Sequence, residues 1–206
     1  MNCYSLERDT MPARKTDRRV TYTRMALRSA LVDLLRDQHI SGITVKSICE
    51  LADVNRSTFY LHYRDPYDLL HQMEQEVLET LSTRLSAQRD SGDENPMSQA
   101  ALTEILEYAR ENADLAHVLL SENCDFAFRQ HIMELVQAIA IWIDPAQGER
   151  IRDYVVAYSV NGCIAIAEKW LKDGMVEEPR EIAQLIFQVL YDGTTGFTPK
   201  NDAANA

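Results

Sequence analysis

Helical periodicity runs through almost the whole of this 206-residue chain. Its first clear instance is an apolar stripe with spacings of three and four, formed by Ala26, Leu27, Ala30, Leu31, Leu34 and Leu35. No segment sustains the alternation of apolar and polar residues that is typical of a half-buried strand. The sequence therefore predicts an all-α fold.

The N-terminal part predicts three helices in the order long, short, short. Their predicted ranges are about 21–39, 45–52 and 56–63. Thr44 is a typical N-cap for the second of these helices, because its hydroxyl can accept a hydrogen bond from a free N–H of the first turn. In that helix Val45, Ile48 and Leu51 are predicted to face inward.

A fourth helix is predicted to begin at Pro66. Asp65 can cap it, and proline at a first helical position lacks only an N–H that would have no helical partner there. The helix is predicted to end near Gln88, before a break rich in Gly, Pro and acidic residues at 89–96. Further helices are predicted at 97–112, 114–121, 126–143, 148–172 and 179–191.

These elements predict four regions along the chain. Residues 1–17 are predicted to be a flexible basic arm, and the alternative is a leader without a role in binding. Residues 18–65 form a three-helix domain, 66–192 form a larger helical bundle, and 193–206 form a disordered tail.

Charge is distributed unevenly between these regions. The net charge is −11, yet residues 1–65 carry a net charge of +3 and residues 66–206 a net charge of −14. Salt screens charges that are more than about 8–10 Å apart, so a nucleic acid can be attracted by a local basic surface despite a distant acidic one. The asymmetry predicts a nucleic-acid-binding part on an acidic body.

The sequence predicts a cytoplasmic protein without metal or cofactor. No apolar run approaches the roughly 20 residues of a membrane-spanning helix, and the N-terminus lacks the apolar core of a signal peptide. The cysteines are scattered without a C-x-x-C pair, which indicates reduced thiols packed as small apolar groups: Cys3, Cys49, Cys124 and Cys163.

The third predicted helix has side chains suited to contacting base edges in a major groove. The second short helix of a helix-turn-helix occupies that groove and contacts bases with its first turns. Arg56 can donate two hydrogen bonds to guanine. Ser57, Thr58 and His62 are short or planar hydrogen-bonding residues, whereas Phe59 is predicted to anchor the helix in the core.

Phosphate contacts are predicted for residues beside that helix. Tyr60 and Tyr63 carry hydroxyls able to reach phosphate oxygens. Thr44 and Lys46 lie at the start of the preceding helix, whose N-terminal N–H groups and positive dipole end favour an anion.

Residues 43–63 resemble the DNA-binding domain of TetR-type transcriptional regulators, above all in the run Thr58-Phe59-Tyr60-Leu61-His62-Tyr63. Residues 65–70 are similar to that family's start of the fourth helix, and the resemblance covers about residues 21–72. It implies an all-helical homodimer in which two N-terminal domains bind the halves of a near-palindromic DNA operator. It also implies a C-terminal domain that dimerises and usually binds a small-molecule effector.

The resemblance also implies roles for individual residues. By position, it assigns base contacts to Arg56, Ser57, Thr58, Leu61 and His62. It assigns phosphate contacts to Thr44, Lys46, Tyr60 and Tyr63. Many family members have a phosphate-binding lysine where this chain has Pro66, so DNA affinity is expected to depend more on the N-terminal arginines.

The C-terminal half resembles a domain type found in family members from Gram-positive bacteria, at residues 162–164, 168–174 and 179–183. In such proteins the last two helices form a four-helix interface with the partner subunit. Gly162 lies in mid-helix, where glycine lowers helix stability by about 1 kcal/mol relative to alanine. Its lack of a side chain permits the close approach of a partner helix. The alternative is a glycine that packs within its own subunit.

A ligand pocket between the C-terminal helices is a further expectation. Its candidate residues are aromatic or soft: Tyr108, His117, Met133, Trp142, Tyr158, Cys163 and Trp170. Ordinary core packing is the alternative for each of them.

The predicted function is that of a sequence-specific, DNA-binding transcriptional repressor that a small ligand modulates. No catalytic motif is present, and the carboxylates at Glu104, Glu107, Glu111 and Asp114 have the spacing of a solvated helix face. The chain is therefore predicted not to be an enzyme. The alternative is a helical adaptor or co-activator that binds a protein or small molecule without operator DNA.

Overall fold

A computed structural model of the chain describes residues 13–90, 98–121 and 148–194, with side chains for 18–86, 98–121 and 148–190. These ranges contain eight α-helices and one short 3-10 helix, Ile40–Gly42, and no strand. The predicted all-α fold is confirmed. Packing divides the chain into two compact units, Met1–Leu70 and His71–Ala206, while the functional limits given above stay predictions.

The described part of the first unit contains three α-helices and the start of a fourth. They are α1 (Ala13–Leu35), α2 (Val45–Ala52), α3 (Arg56–Phe59) and α4 (Pro66–Asp90). The backbone of residues 13–17 is helical, which corrects the prediction that they belong to a flexible arm. Helix α1 also ends earlier than predicted, at Leu35. The N–H groups of Asp37 and Gln38 both donate to the Leu34 carbonyl, and this turns the chain.

Apolar side chains from all three helices form the core of this unit. Leu27 and Leu31 on α1, Ile48 on α2 and Phe59 on α3 are all fully buried. Burying such a side chain contributes about 1.5–3 kcal/mol relative to leaving it in water. The two short helices are therefore held in place mainly by their packing on α1, since isolated helices of this length are marginal in water.

The inward face of α2 differs from the predicted one. Ile48 and Cys49 are buried, whereas Leu51 is 53% exposed. A helix of 3.6 residues per turn places positions i, i+3, i+4 and i+7 on one face, here Val45, Ile48, Cys49 and Ala52. The prediction for Leu51 was wrong because it followed the hydrophobicity of the residue rather than its angular position on the helix.

The described part of the second unit consists of the remainder of α4 and four further helices. They are α5 (Gln99–Glu111), α6 (Ala113–Leu120), α7 (Glu149–Lys172) and α8 (Pro179–Thr194). All four were predicted to within a few residues. The helix predicted at 126–143 lies outside the described residues, as do residues 91–96 of the predicted break and 195–206 of the predicted tail.

The core of the second unit lies between α5, α7 and α8. Leu102 and Leu106 of α5 pack with Trp170 of α7 and with Ile182 and Ile186 of α8. The indole N–H of Trp170 donates to the Glu177 carbonyl at 2.9 Å, which ties the α7–α8 loop to this core. None of the described helices has the length and apolar character required to cross a membrane.

Candidate nucleic-acid interface

Thr44 fixes the start of α2. The Ser47 N–H donates to Thr44 Oγ1 at 3.1 Å, and the Thr44 N–H donates to Ser47 Oγ at 3.1 Å. This reciprocal arrangement is a capping box, and it confirms the predicted N-cap. Thr44 and Lys46 are both exposed at this end of the helix.

A tight turn then redirects the chain into α3. Asp53 adopts the left-handed conformation with φ 53°, and the Val54 N–H donates to the Cys49 carbonyl at 3.0 Å. Asn55 caps the new helix, since its Oδ1 accepts from the Ser57 N–H at 2.9 Å. This cap was missed in the sequence, although asparagine directly before a helix is among the preferred N-cap residues.

The helix α3 is one turn long, and hydrogen-bonded turns continue it to Tyr63. The N–H groups of Tyr60, His62 and Tyr63 donate to carbonyls of Arg56 and Phe59. Phe59 is 0% exposed, as its predicted anchoring role requires. The rings of Tyr60 and Tyr63 each lie 5.7 Å from the Phe59 ring, centroid to centroid.

The predicted base-facing residues fall into two groups. Arg56, Ser57 and Leu61 are exposed, and Leu61 is 80% exposed. Thr58 and His62 are only partly exposed. The Leu61 side chain gains no free energy of burial while it is exposed to water, whereas contact with a thymine methyl group would bury it.

The predicted phosphate-facing residues are less uniform. Thr44, Lys46 and Tyr60 are exposed, but Tyr63 is only 3% exposed. Its hydroxyl accepts a hydrogen bond from Arg24 Nε at 3.3 Å. Burial argues against a phosphate contact by Tyr63 and indicates instead that it connects α1 to the end of residues 56–63, the predicted recognition segment.

Two charged residues near this surface, Glu50 and Arg64, were not predicted from the sequence. Glu50 Oε1 lies 3.7 Å from Lys46 Nζ, and both side chains are exposed. The i,i+4 spacing of these two residues on α2 was a signal that could have revealed the pair. Arg64 bonds Asp68 through its side chain and its backbone N–H, so its charge is partly neutralised.

The predicted ligand-pocket residues do not form one site. Tyr108 and Cys163 line a common apolar cavity of the second unit. Trp170 is buried in the neighbouring core, and His117 lines a separate small depression. Tyr158 is 68% exposed on α7 and does not line the cavity.

Met133 and Trp142 lie outside the described residues. Within the described ranges, no group of three His, Cys, Asp or Glu side chains is placed to hold a metal ion.

Comparisons with known proteins agree with this architecture. A TetR C-terminal family model, described as the transcriptional regulator C-terminal region, matches residues 97–192. A curated relative is the uncharacterized HTH-type transcriptional regulator YxbF of Bacillus subtilis (strain 168), which is 23% identical over 169 residues. The alignment covers 80% of this chain and 43% of YxbF, so the chain spans less than half the length of that relative.

Solved structures show the same fold. A TetR transcriptional regulator from Streptococcus agalactiae 2603V has a TM-score of 0.61 at 22% identity, covering 87% of this chain and 99% of that one. NalD, the secondary repressor of the MexAB-OprM multidrug efflux pump in Pseudomonas aeruginosa, has a TM-score of 0.57 at 20% identity, covering 88% and 99%.

These matched proteins are transcriptional regulators, which confirms the prediction that the chain is not an enzyme. The family model covers the C-terminal region, and the helix-turn-helix lies in the N-terminal unit where the sequence resemblance predicted it. Over residues 97–192 the chain is similar to the C-terminal region of TetR transcriptional regulators, and its fold is that of TetR-type structures.

Proposed function

We propose that this regulator binds a near-palindromic operator as a homodimer and represses transcription until a small ligand binds. The exposure pattern of the recognition segment is the observation that supports this most directly. Arg56 and Ser57 present their side chains to solvent, while Phe59, on the same turn of helix, is completely buried. A segment whose buried face anchors it in the core, and whose exposed face carries polar groups, is suited to binding in a major groove.

The surroundings of this segment suit the DNA backbone. Thr44 and Lys46 lie at the N-terminus of α2, where the N–H groups and the helix dipole favour a phosphate. Tyr60 is exposed after α3 and can donate its hydroxyl to a second phosphate. Backbone contacts of this kind would hold α3 in register while its side chains contact bases.

The last two helices support the homodimer. Ile151, Tyr154 and Tyr158 form an exposed stripe on α7, and Leu185 and Val189 are exposed on α8. Exposed apolar side chains grouped on two helices that pack together are typical of an interaction site. A two-fold symmetric partner would cover it and would present two recognition segments to one duplex, so the operator is expected to be an inverted repeat.

Gly162 extends the α7 stripe. A Cβ atom added to this glycine would meet nothing within 4 Å. This speaks against the alternative that the glycine is required for packing within its own subunit, and it supports close approach by a partner helix.

Repression and its release by a ligand are the finer parts of the proposal. NalD, which shares this fold, is a repressor, and a repressor needs a signal that lowers its DNA affinity. The apolar cavity in the second unit offers a place for such a signal. Its walls include Val77 and Leu81 of α4, the helix whose first residues belong to the DNA-binding unit.

The test is a selection of bound duplexes from a random pool, followed by titration of the selected sequence. The selected sites should form an inverted repeat. Arg56→Ala should weaken binding by about 1–3 kcal/mol and relax base preference at one position in each half. Arg180→Ala removes the same charge from an exposed position of α8 and should leave binding unchanged.

Two results would contradict the proposal. One is Arg56→Ala binding the selected duplex as tightly and as selectively as the parent. The other is a pool that yields no enriched sequence. Repression is tested separately with a reporter promoter that contains the selected repeat, whose activity should fall when the protein is expressed.

A further inference from the structure

The cavity of the second unit is lined by the five helices that the structure describes there, α4 to α8. Its walls include Leu81 of α4, Leu106 of α5, Leu119 of α6, Ile164 of α7 and Ile186 of α8. Because five helices contribute apolar side chains, the space lies between the described helices. Its volume is about 140 Å³.

The chemistry of the walls is almost entirely apolar. None of the described residues that line the cavity is charged. The three polar lining residues are Tyr108, Asn112 and Cys163, and very little polar surface reaches the cavity. The amide of Asn112 donates to the Tyr108 carbonyl at 3.0 Å. Burial raises the pKa of the Cys163 thiol to about 11, so the thiol is neutral at physiological pH.

The charged side chains of Arg84 and Glu111, near the cavity, interact with each other. The Arg84 guanidinium lies 5.1 Å from the centroid of the Tyr108 ring and donates to Glu111 Oε2 at 2.6 Å. This cation is therefore occupied by Glu111 and the aromatic ring. A ligand carboxylate or ammonium group inside the cavity would lose its hydration and find no opposite charge on the walls that the structure describes, which is strongly unfavourable.

Size narrows the class of ligand further. An apolar cavity of about 150 Å³ in another protein stays dry and accepts benzene or xenon, and the present cavity is of similar volume. We infer that this pocket binds an uncharged, apolar molecule about the size of one aromatic ring. The inference rests on the proposed function for its biological meaning, because such a molecule would be the ligand that modulates DNA binding.

The experiment uses toluene as the probe and benzoate as its charged counterpart of nearly the same shape. Binding to the full chain is measured by calorimetry or by ligand-observed NMR, without DNA. Toluene should bind saturably, and benzoate should bind at least about 100-fold more weakly because of its desolvation cost.

Two variants place extra volume in the cavity. Ala109 and Ala116 both line it, from α5 and α6, so Ala109→Leu and Ala116→Leu should each weaken toluene binding by at least about tenfold. Ala100→Leu adds the same atoms to an exposed position of α5 and should leave binding unchanged. Thermal melts establish that the variants are folded, and either filled variant suffices if the other does not fold.

Saturable toluene binding that is lost on filling and kept in Ala100→Leu would establish the ligand class. Absence of toluene binding to the parent protein would overturn the inference, and so would equal binding of benzoate or unchanged binding by a folded filled variant. Since DNA is absent from these measurements, their failure leaves operator binding untouched. Conversely, a chain that binds toluene but selects no DNA sequence would overturn the proposed function alone.

Discussion

At the scale of single residues, Lys46 and Glu50 have opposite effects on the same surface. They lie one helical turn apart on the exposed side of α2, with 3.7 Å between Nζ and Oε1. A surface pair of this kind contributes only about 0–1 kcal/mol, so a phosphate can compete for the lysine. The glutamate, in contrast, is repelled by every phosphate that the lysine attracts.

Substitutions at these two positions should therefore change DNA affinity in opposite directions. Lys46→Ala should weaken binding to specific and scrambled duplexes alike and reduce the slope of log K against log salt by about 0.9. Glu50→Gln should tighten binding by up to about 1 kcal/mol at low salt. Fluorescence anisotropy of labelled duplexes measures both.

Glu177→Gln, in the exposed α7–α8 loop, is the charge-matched control. Weaker binding by Glu50→Gln would mean that this carboxylate contributes to the interface rather than opposing it.

At the scale of elements, the turn between α2 and α3 sets the direction of the recognition segment. Its corner residue, Asp53, has φ 53°, a conformation that costs an L-residue about 1–2 kcal/mol and costs glycine little. Aspartate tolerates this region better than most residues. The turn therefore stores a small strain that a glycine would remove.

Asp53→Gly should raise the free energy of unfolding by about 0.5–1 kcal/mol, because glycine adopts the left-handed conformation without steric cost. Asp53→Val should lower it, since a β-branched side chain clashes there. Chemical denaturation at one protein concentration measures these changes. Asp153→Gly, in the interior of α7, should instead lower stability by a few tenths of a kcal/mol. An Asp53→Gly variant less stable than the parent would show that the aspartate side chain has a stabilising role.

The α7 stripe yields a second prediction about an element. Tyr158 is 68% exposed in the single chain, and the proposed dimer would bury it. Tyr158→Asp would place a charge in that interface and should raise the dimer dissociation constant at least about tenfold. Sedimentation velocity at micromolar concentration measures the change.

Tyr22→Asp is the matched control, because Tyr22 is an exposed tyrosine of α1, outside the stripe. A parent protein that sediments as a monomer, or a Tyr158→Asp variant that dimerises normally, would contradict the proposed interface.

At the scale of the whole molecule, the acidic residues of the larger unit should oppose DNA binding only when salt is low. Residues 66–206 carry a net charge of −14, against +3 for residues 1–65. The Debye length is about 10 Å at 0.1 M salt and about 30 Å at 0.01 M. Distant carboxylates are therefore screened from the DNA at the higher salt concentration, and they repel it at the lower one.

The salt dependence of operator binding should consequently be curved. Log K should fall steeply with log salt above about 0.1 M, where phosphate contacts dominate, and should flatten towards about 0.01 M as repulsion by the acidic unit grows. Anisotropy titrations across this range measure the curve. A straight line down to the lowest salt concentration would show that the acidic charge does not reach the DNA.

Local signals in the sequence determined most of the helices. Thr44 predicted the start of α2, and Asp65 with Pro66 predicted the start of α4, because caps and proline act through their nearest neighbours in the chain. The exposed positions of Arg56 and Ser57 followed from the family resemblance and the anchoring of Phe59. The early start of α1 was missed because a polar, basic segment has no apolar stripe to reveal it.

What the sequence determined by itself was most of the helices, the place of the predicted recognition segment and the resemblance to TetR-type regulators. Only the tertiary structure decided which side chains face the interior. Tyr63 is buried against Arg24, and Leu51 is exposed. The cavity selects Tyr108 and Cys163 from a longer set of candidates. Caps and turns depend on residues within a few positions of each other, whereas burial and cavities depend on residues far apart in the chain that pack together.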